Sequence, residues 1–393
     1  MVKPLEGIRV LDLSRVLAGP YCTMILADMG AEIIKIERPG EGDDSRAFSP
    51  FIGEESAYFM SINRGKKSIT LDFKNPLDME IFWELVKKSD IIVENFRPGI
   101  MEKLGMGYTE IKKVNPRIIY AGISGFGHTG PYSGRAAYDM LAQAMSGLMS
   151  ITGEAGQPPV RVGTSVGDIT AALFGTIGIM MALHVRSSSG EGQKVDVSML
   201  DSQVAILENA IARYEVTGKV PGPLGTRHPA IAPFQGFPTK DYYVIIPCGN
   251  DILWGKLCDA LGMEQYKADQ RFKTNKDRVE NVDELDRIIS DITKTKNTHE
   301  WVELMDLIGH PVGVINTIDQ VVNDPQVLAR NMIVEVEHPI AGKMRVAGNP
   351  IKLSTTPGDI EKPAPLLGEH TGWVLQELLG WNEEKIRAYL KKE

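Results

Sequence analysis

Apolar residues in the first 125 positions fall in short dense runs separated by turn signals and by stretches of helical spacing, a pattern that predicts buried strands alternating with helices. Residues 8–13 and 31–36 read as strands, with a helix over 20–29 between them that Gly30 stops. Further strands are expected at 68–72, 91–94 and 117–124, and a helix at 76–88. This alternation predicts the α/β class, with a mostly parallel sheet covered by helices on both faces.

Beyond residue 124 the pattern coarsens. Residues 169–185 carry no Asp, Glu, Lys or Arg and are read as a helix buried in a soluble core rather than a bilayer span, since Thr170, Gly175, Thr176 and Gly178 interrupt the apolar run. A strand at 194–197 and a long helix at 202–217 follow. Residues 220–236, rich in Pro and Gly, read as a connector. A strand at 242–248 and the charged helical stretches after it look like a smaller α+β unit. The expected organisation is a large domain beginning with 1–200, a linker at 201–236, a small domain at 237–312, and a return segment at 313–393 that ends in a helix at 383–391.

Composition narrows the function classes. The chain has 393 residues, and 43 Lys and Arg against 51 Asp and Glu leave a net charge of -8. That balance argues against a nucleic-acid partner or an anionic membrane surface, so an anionic ligand must be met by a local basic cluster. Three cysteines, Cys22, Cys248 and Cys258, are too few for a disulfide framework and form no metal-type pair. With no apolar run behind the first lysine, a cytoplasmic location is expected.

Acidic Glu37 at the end of the second strand raises the possibility of dinucleotide binding, but the turn after the first strand reads SRVLAGP (14–20), where a single glycine replaces the Gly-x-Gly-x-x-Gly code. No phosphate-binding P-loop, zinc motif or serine elbow occurs, and no metal or redox cofactor is called for. What does stand out is a series of glycine-rich loops, GFGHTGP (125–131) and RVG (161–163), leading to Gly167 and Asp168 at the head of the apolar helix. Asp168 has two readings. It can cap the helix, accepting backbone N–H bonds worth about 0.5–2 kcal/mol. It can also serve as a nucleophile: with an ordinary carboxyl pKa of about 3.9 it is ionised at neutral pH, and the surrounding N–H groups could hold a developing oxyanion. Attack on a thioester would give an acyl-aspartyl anhydride that keeps the thioester's activation, which suits reversible transfer of coenzyme A.

Several blocks in fixed order carry a resemblance: VLDLSRVLAGP (10–20), KIERPG (35–40), NRGKK (63–67), ENFRPG (94–99), GTSVGD (163–168) and APLLGEH (364–370). The chain resembles the class III coenzyme A transferases from residue 7 to about residue 391. The resemblance implies that Asp168 is the nucleophile. It implies that coenzyme A, as co-substrate, lies along Val16, Ala18, Arg38, Leu71, Lys74, Asn95, Phe96, Arg97, Lys103, Ala136, Ala137 and Tyr138. Tyr58 and Tyr138 would touch the acyl or acceptor acid, beside Leu17 and Asp139. It also implies a Rossmann-like large domain built from both ends of the chain and a homodimer of two linked rings.

Leu17 stands where formyl-coenzyme A transferases have glutamine, and HPAIAP (228–233) replaces their glycine-rich loop. The blocks GDDSR (42–46), RVGTS (161–165) and CGND (248–251) look more like the acetyl-coenzyme A:oxalate and succinyl-coenzyme A:dicarboxylate enzymes, so a small dicarboxylate acceptor such as oxalate is expected. Arg46 and Arg227 are the guanidinium candidates for its far carboxylate. Two rivals stand beside this reading. A racemase of the same family would use a histidine where this chain has Tyr138, whose phenol, with a pKa of about 10, is a poor base. A silent coenzyme A binder would lack turnover altogether.

Overall fold

The computed structural model describes residues 2–391. Six strands, β1 (Arg9–Asp12), β2 (Glu32–Glu37), β3 (Lys67–Thr70), β4 (Ile91–Glu94), β5 (Ile119–Ser124) and β6 (Lys194–Ser198), form one sheet in the order 3-2-1-4-5-6. Every pairing in it is parallel. The expected strands are thus present with ends displaced by one to two residues, where ladder bonds stop before the apolar pattern does.

The strands read as unbroken apolar runs because both faces are covered. On one side Leu11, Ile34, Ile69 and Ile92 meet Ile81, Phe82 and Leu85 of a helix at Pro76–Lys87, together with Val374, Leu375 and Ile386 from the end of the chain. On the other, Val10, Ile33, Val93 and Ile123 meet Cys22 and Leu26 of α1 (Ala18–Asp28) and Ala171, Ala172 and Ile179 of the long apolar helix. Each fully buried aliphatic side chain here is worth about 1.5–3 kcal/mol. The C-terminal segment is tied to the sheet by the Gly368 N–H to Ser68 Oγ bond at 2.9 Å and the Tyr389 hydroxyl to Asp78 at 2.9 Å.

Two compact units result: 1–149, 161–219 and 325–393 in the first, and 150–160 with 220–324 in the second. These bounds differ from the expected ones: residues 150–160 and 220–236 fall in the second unit, and two further segments change place. Residues 201–217 are part of the first unit, since Ser202 and Gln203 are buried there, and residues 313–324 belong to the second, since Gly313–Val314 pairs with Tyr243–Pro247. Phe234–Pro238, expected as connector, is the third strand of that antiparallel sheet. Phe237, Val244, Trp254, Leu257, Leu285 and Trp301 fill the second unit's own core.

The helix expected at 202–217 breaks into Met199–Ala205 and Ala210–Thr217, with Glu208 in the left-handed region at φ 54° and no Gly or Pro to announce it. The apolar helix, Val166–Ser189, is also unlike its expectation. Only one face is buried, through Gly167, Ala171, Ala172, Gly175, Ile179, Ala182 and Arg186. Leu173, Phe174, Ile177, Met180, Met181 and Val185 on the other face are exposed. Small residues at helical spacing let this helix lie close on the sheet and α1, and apart from Ile179 most of its large apolar residues point away from that contact.

Candidate active site

In a parallel sheet of this order a crevice opens beyond the C-terminal ends of β1 and β4, where the chain leaves in opposite directions. Residues 13–17 follow β1 and residues 95–97 follow β4. The β1 loop lacks the glycine code, and side chains hold its backbone instead. Asp12 accepts the Ser14 N–H at 3.0 Å, and Lys35 Nζ donates to the Ser14 carbonyl at 2.9 Å. The Asn95 amide brackets Arg15, accepting its N–H at 2.8 Å and donating to its carbonyl at 2.7 Å. Asp43 Oδ1 accepts the Val16 N–H at 3.0 Å. At the start of α1 a Cβ on Gly19 would overlap the Ser14 side chain, so only glycine lets the helix begin this close to the loop.

Asp168 lies in the first turn of the apolar helix, three residues after the capping position, which Ser165 occupies without a side-chain cap bond. It is therefore not the cap that its sequence position suggested. The backbone N–H of Ala18, at the start of α1, lies beside its carboxylate and favours the charged form. Asp139, the first residue of the helix Asp139–Met145, is buried beside it. Asp139 accepts the Gly167 N–H at 2.8 Å and the Gln143 Nε2 at 2.7 Å, while Gln143 Oε1 accepts the Val162 N–H at 2.9 Å. A side chain at Gly167 would strike the Gln203 amide.

Burial and the neighbouring Asp139 charge push the Asp168 carboxyl up to about 7, against the opposing pull of the Ala18 N–H. The ordinary value assumed from sequence is thus overturned: near neutral pH this group is divided between acid and carboxylate. Tyr58, edge-on to Phe48 at 5.5 Å, is pushed up to about 12 by burial and by Asp168, Asp43 and Asp139, which keeps its phenol neutral. Leu17 is buried against Met24 and Ile62 with Val16 and Tyr58 alongside.

Two N–H groups of the glycine-rich loop at 125–131 are taken up within the protein. Its Gly127 N–H is taken by Ser124 Oγ at 3.0 Å and its His128 N–H by Asp196 at 3.1 Å. Gly125 has a steric role, because a Cβ there would overlap Ala137. Ala136, Ala137 and Tyr138 lead into the helix that starts at Asp139, and the Tyr138 ring is 79% exposed.

Next to the β1 loop is a cleft of about 370 Å³ with an apolar wall of Leu71, Phe73, Phe96, Ile100 and Leu104 and a rim of Arg15, Arg38 and Arg97. Four sequence-identified residues, Arg38, Leu71, Phe96 and Arg97, line it. Arg38 also pairs with Asp44 at 2.9 Å, and Arg97 donates to the Gly134 carbonyl. Lys74 and Lys103 stand outside the lining, Lys74 on the turn after Asp72 and Lys103 at the end of the helix Ile100–Lys103. Val16, Ala18, Asn95 and 136–138 are likewise outside it, on the loops leading to Asp168 and Asp139. A flat apolar group flanked by anionic groups fits this wall and rim.

Neither arginine proposed for an acceptor carboxylate is available. Arg46 forms two 2.8 Å bonds to buried Glu37, donates to the Pro365 carbonyl at 3.1 Å and stacks over Phe59. Arg227, in the second unit, pairs with Asp283 and Asp286. Sequence reasoning missed Lys35, Asp43 and Gln143. Lys35 did leave a signal, a lone cation inside the apolar run of β2, where a fully buried charge demands partners.

Comparison with known proteins shows the family to which this chain belongs. The profile of CoA-transferase family III matches residues 5–371. Human succinyl-CoA:glutarate CoA-transferase is 42% identical over 390 residues, covering 99% of this chain and 89% of its own. The acetyl-CoA:oxalate CoA-transferase of Acetobacter aceti is 44% identical over 368 residues, 93% of each chain. A CAIB/BAIF family protein from Brucella suis superposes with a TM-score of 0.86 at 39% identity, over 96% of this chain and all of that one. The chain belongs to CoA-transferase family III.

Proposed function

We propose that this enzyme moves coenzyme A from a small acyl thioester, succinyl- or acetyl-coenzyme A, to a small dicarboxylate such as oxalate or glutarate, with Asp168 as the covalent nucleophile. The carrying observation is the Asp168 carboxylate at a helix start, partly exposed, facing the Ala18 N–H and raised to about 7. A carboxylate of that basicity is a stronger nucleophile than an ordinary one and still carries charge at neutral pH. The acceptor preference rests on the relatives, whose names specify glutarate and oxalate.

An Asp168 oxygen bonds to the acyl carbon, the C–S bond breaks, and coenzyme A leaves as thiolate. The mixed anhydride conserves the activation. Return of the thiolate to the aspartyl carbonyl releases the donor acid, and the acceptor carboxylate then runs the two steps in reverse. Tyr58, neutral and beside Asp168, is suited to donate a hydrogen bond to the acyl oxygen. The cleft wall of Leu71, Phe73 and Phe96 suits the adenine ring, with Arg15, Arg38 and Arg97 suited to the phosphates.

The exposed face of Val166–Ser189, with Met140, Leu141, Val204, Ile211 and Tyr214 of the same unit, supports a homodimer, for which two linked rings is the arrangement the family resemblance implies. Among the described residues this is the one helix long and apolar enough to cross a membrane. Its small-residue face on the sheet and the Arg186–Asp90 ion pair at 3.0 Å favour a cytoplasmic soluble dimer instead. Sedimentation at micromolar concentration tests this, and a monomer would oppose it.

Mass spectrometry of wild type and Asp168→Ala after incubation with acetyl-, succinyl- or formyl-coenzyme A, with hydroxylamine to trap an acyl-aspartate as hydroxamate, tests the mechanism. An adduct on Asp168, absent in the variant, supports it and identifies the donor. Thioester binding with no adduct and no exchange would leave a silent binder, and α-proton exchange without transfer a racemase.

A further inference from the structure

The loop Ser14–Arg15–Val16 is held at each residue by a side chain from another element, and its last residue is strained. Val16 has φ 64°, a left-handed conformation that a β-branched residue adopts only when its surroundings impose it. Asp43 imposes it here, since Asp43 Oδ1 takes the Val16 N–H at 3.0 Å while also accepting the Ser45 N–H at 2.9 Å. Asp43 is itself fixed by Lys35 at 2.8 Å, and both side chains are fully buried. Two residues later the chain enters α1 at Ala18, whose N–H lies beside the Asp168 carboxylate. A buried ion pair is a poor source of stability, so its place under a strained loop calls for another explanation.

We propose that Asp43, braced by Lys35, is a positioning residue of the transfer reaction: it clamps Val16 in the left-handed conformation and thereby aims the Ala18 N–H at Asp168. Released from the clamp, Val16 relaxes to negative φ and the peptide planes leading to Ala18 rotate, so the N–H no longer points at the carboxylate. Arg15, the residue before Val16, is on the rim of the cleft, so a ligand bound there reaches the held loop rather than the buried pair beneath it.

The inference rests on Asp168 being the nucleophile. Two double variants isolate the clamp without leaving a lone buried charge. Lys35→Met/Asp43→Asn keeps an oxygen for the Val16 N–H, and Lys35→Met/Asp43→Leu removes it. Both lose the Lys35 bond to Ser14, so their difference reports what Asp43 Oδ1 accepts, from Val16 and from Ser45, and Val16→Pro separates the two.

Acylation of Asp168 is followed by rapid-quench mass spectrometry across pH 5.5–9. The groups facing Asp168 are Asp139 from the helix Asp139–Met145 and Tyr58 from the helix Ala57–Ile62. In the leucine variant the acylation rate is expected to fall about tenfold to a hundredfold, the loss of one hydrogen bond to a charged group, with the apparent pKa of the profile moving upward. The asparagine variant is expected to recover most of the rate and the wild-type profile. Equal rates and profiles in the two variants would overturn the clamp while leaving the nucleophile intact. Wild type that forms no adduct on Asp168 would instead overturn the underlying reading. Circular dichroism identifies any variant that has not folded, and Val16→Pro, which removes the N–H and forbids φ 64°, then tests the same contact with the Lys35–Asp43 pair in place.

Discussion

Replacing Asp168 by Asn is expected to stabilise the protein, and to do so more at high pH. The folded carboxyl titrates at about 7 against 3.8 for an ordinary aspartate. A folded-state pKa above the unfolded one means that the native state holds the proton more tightly. The resulting stability is complete below pH 3.8 and is lost as pH rises through 7. At 1.36 kcal/mol per unit the full loss is roughly 4 kcal/mol, and partial exposure to water reduces this to about 2 kcal/mol. Asn keeps the acceptor for the Ala18 N–H and has no charge to bury. Calorimetric melting of both proteins at pH 5 and pH 8.5 is the assay. The part of this loss that falls between pH 5 and pH 8.5 is roughly 1 kcal/mol, so in a chain of this size the variant is expected to gain about 2 °C more over wild type at pH 8.5 than at pH 5. A gain of equal size at both pH values would refute the raised pKa, and with it the account of burial and Asp139 repulsion around the nucleophile.

The pre-steady-state rate of Asp168 acylation in wild type is expected to rise with pH through about 7 and then level, because the carboxylate is the reacting form. A rate already flat between pH 5 and 8 would show an ordinary carboxyl. Arg46→Ala is expected to cost about 3–5 kcal/mol by stranding buried Glu37, read as a lowered melting temperature, without a change in KM for the acceptor acid in the protein that remains folded. Gly125→Val is expected to displace Ala137 and Tyr138 and to reduce acylation at least tenfold, with melting affected less, since this loop is on the surface of the sheet's C-terminal edge. Acylation equal to wild type would show that residues 136–138 have no part in the site.

The sequence by itself determined the frame. Runs such as Ile91–Glu94 and Ile119–Ser124 are apolar at consecutive positions because both faces of a parallel strand are covered, and that local pattern survives whatever the tertiary arrangement. The head of the apolar helix could be located for the same reason, which placed Asp168 among the residues to watch. The blocks around Ala18, Arg38, Phe96 and Arg97 came from the family resemblance, and the structure puts them after the ends of β1, β2 and β4. Tertiary structure decided what those residues do. The pKa of Asp168 depends on Asp139, 29 positions away, and on the N–H of Ala18, 150 positions away, and no local pattern encodes either proximity. Arg46 looked like a free guanidinium with Glu37 unseen beneath it, and the apolar helix looked buried all round although one face alone, mostly small residues with Ile179, meets the sheet. Hydrophobic period is a property of neighbours along the chain, whereas the field at a carboxylate and the partner of a buried charge are set by groups that only folding brings within a few ångströms.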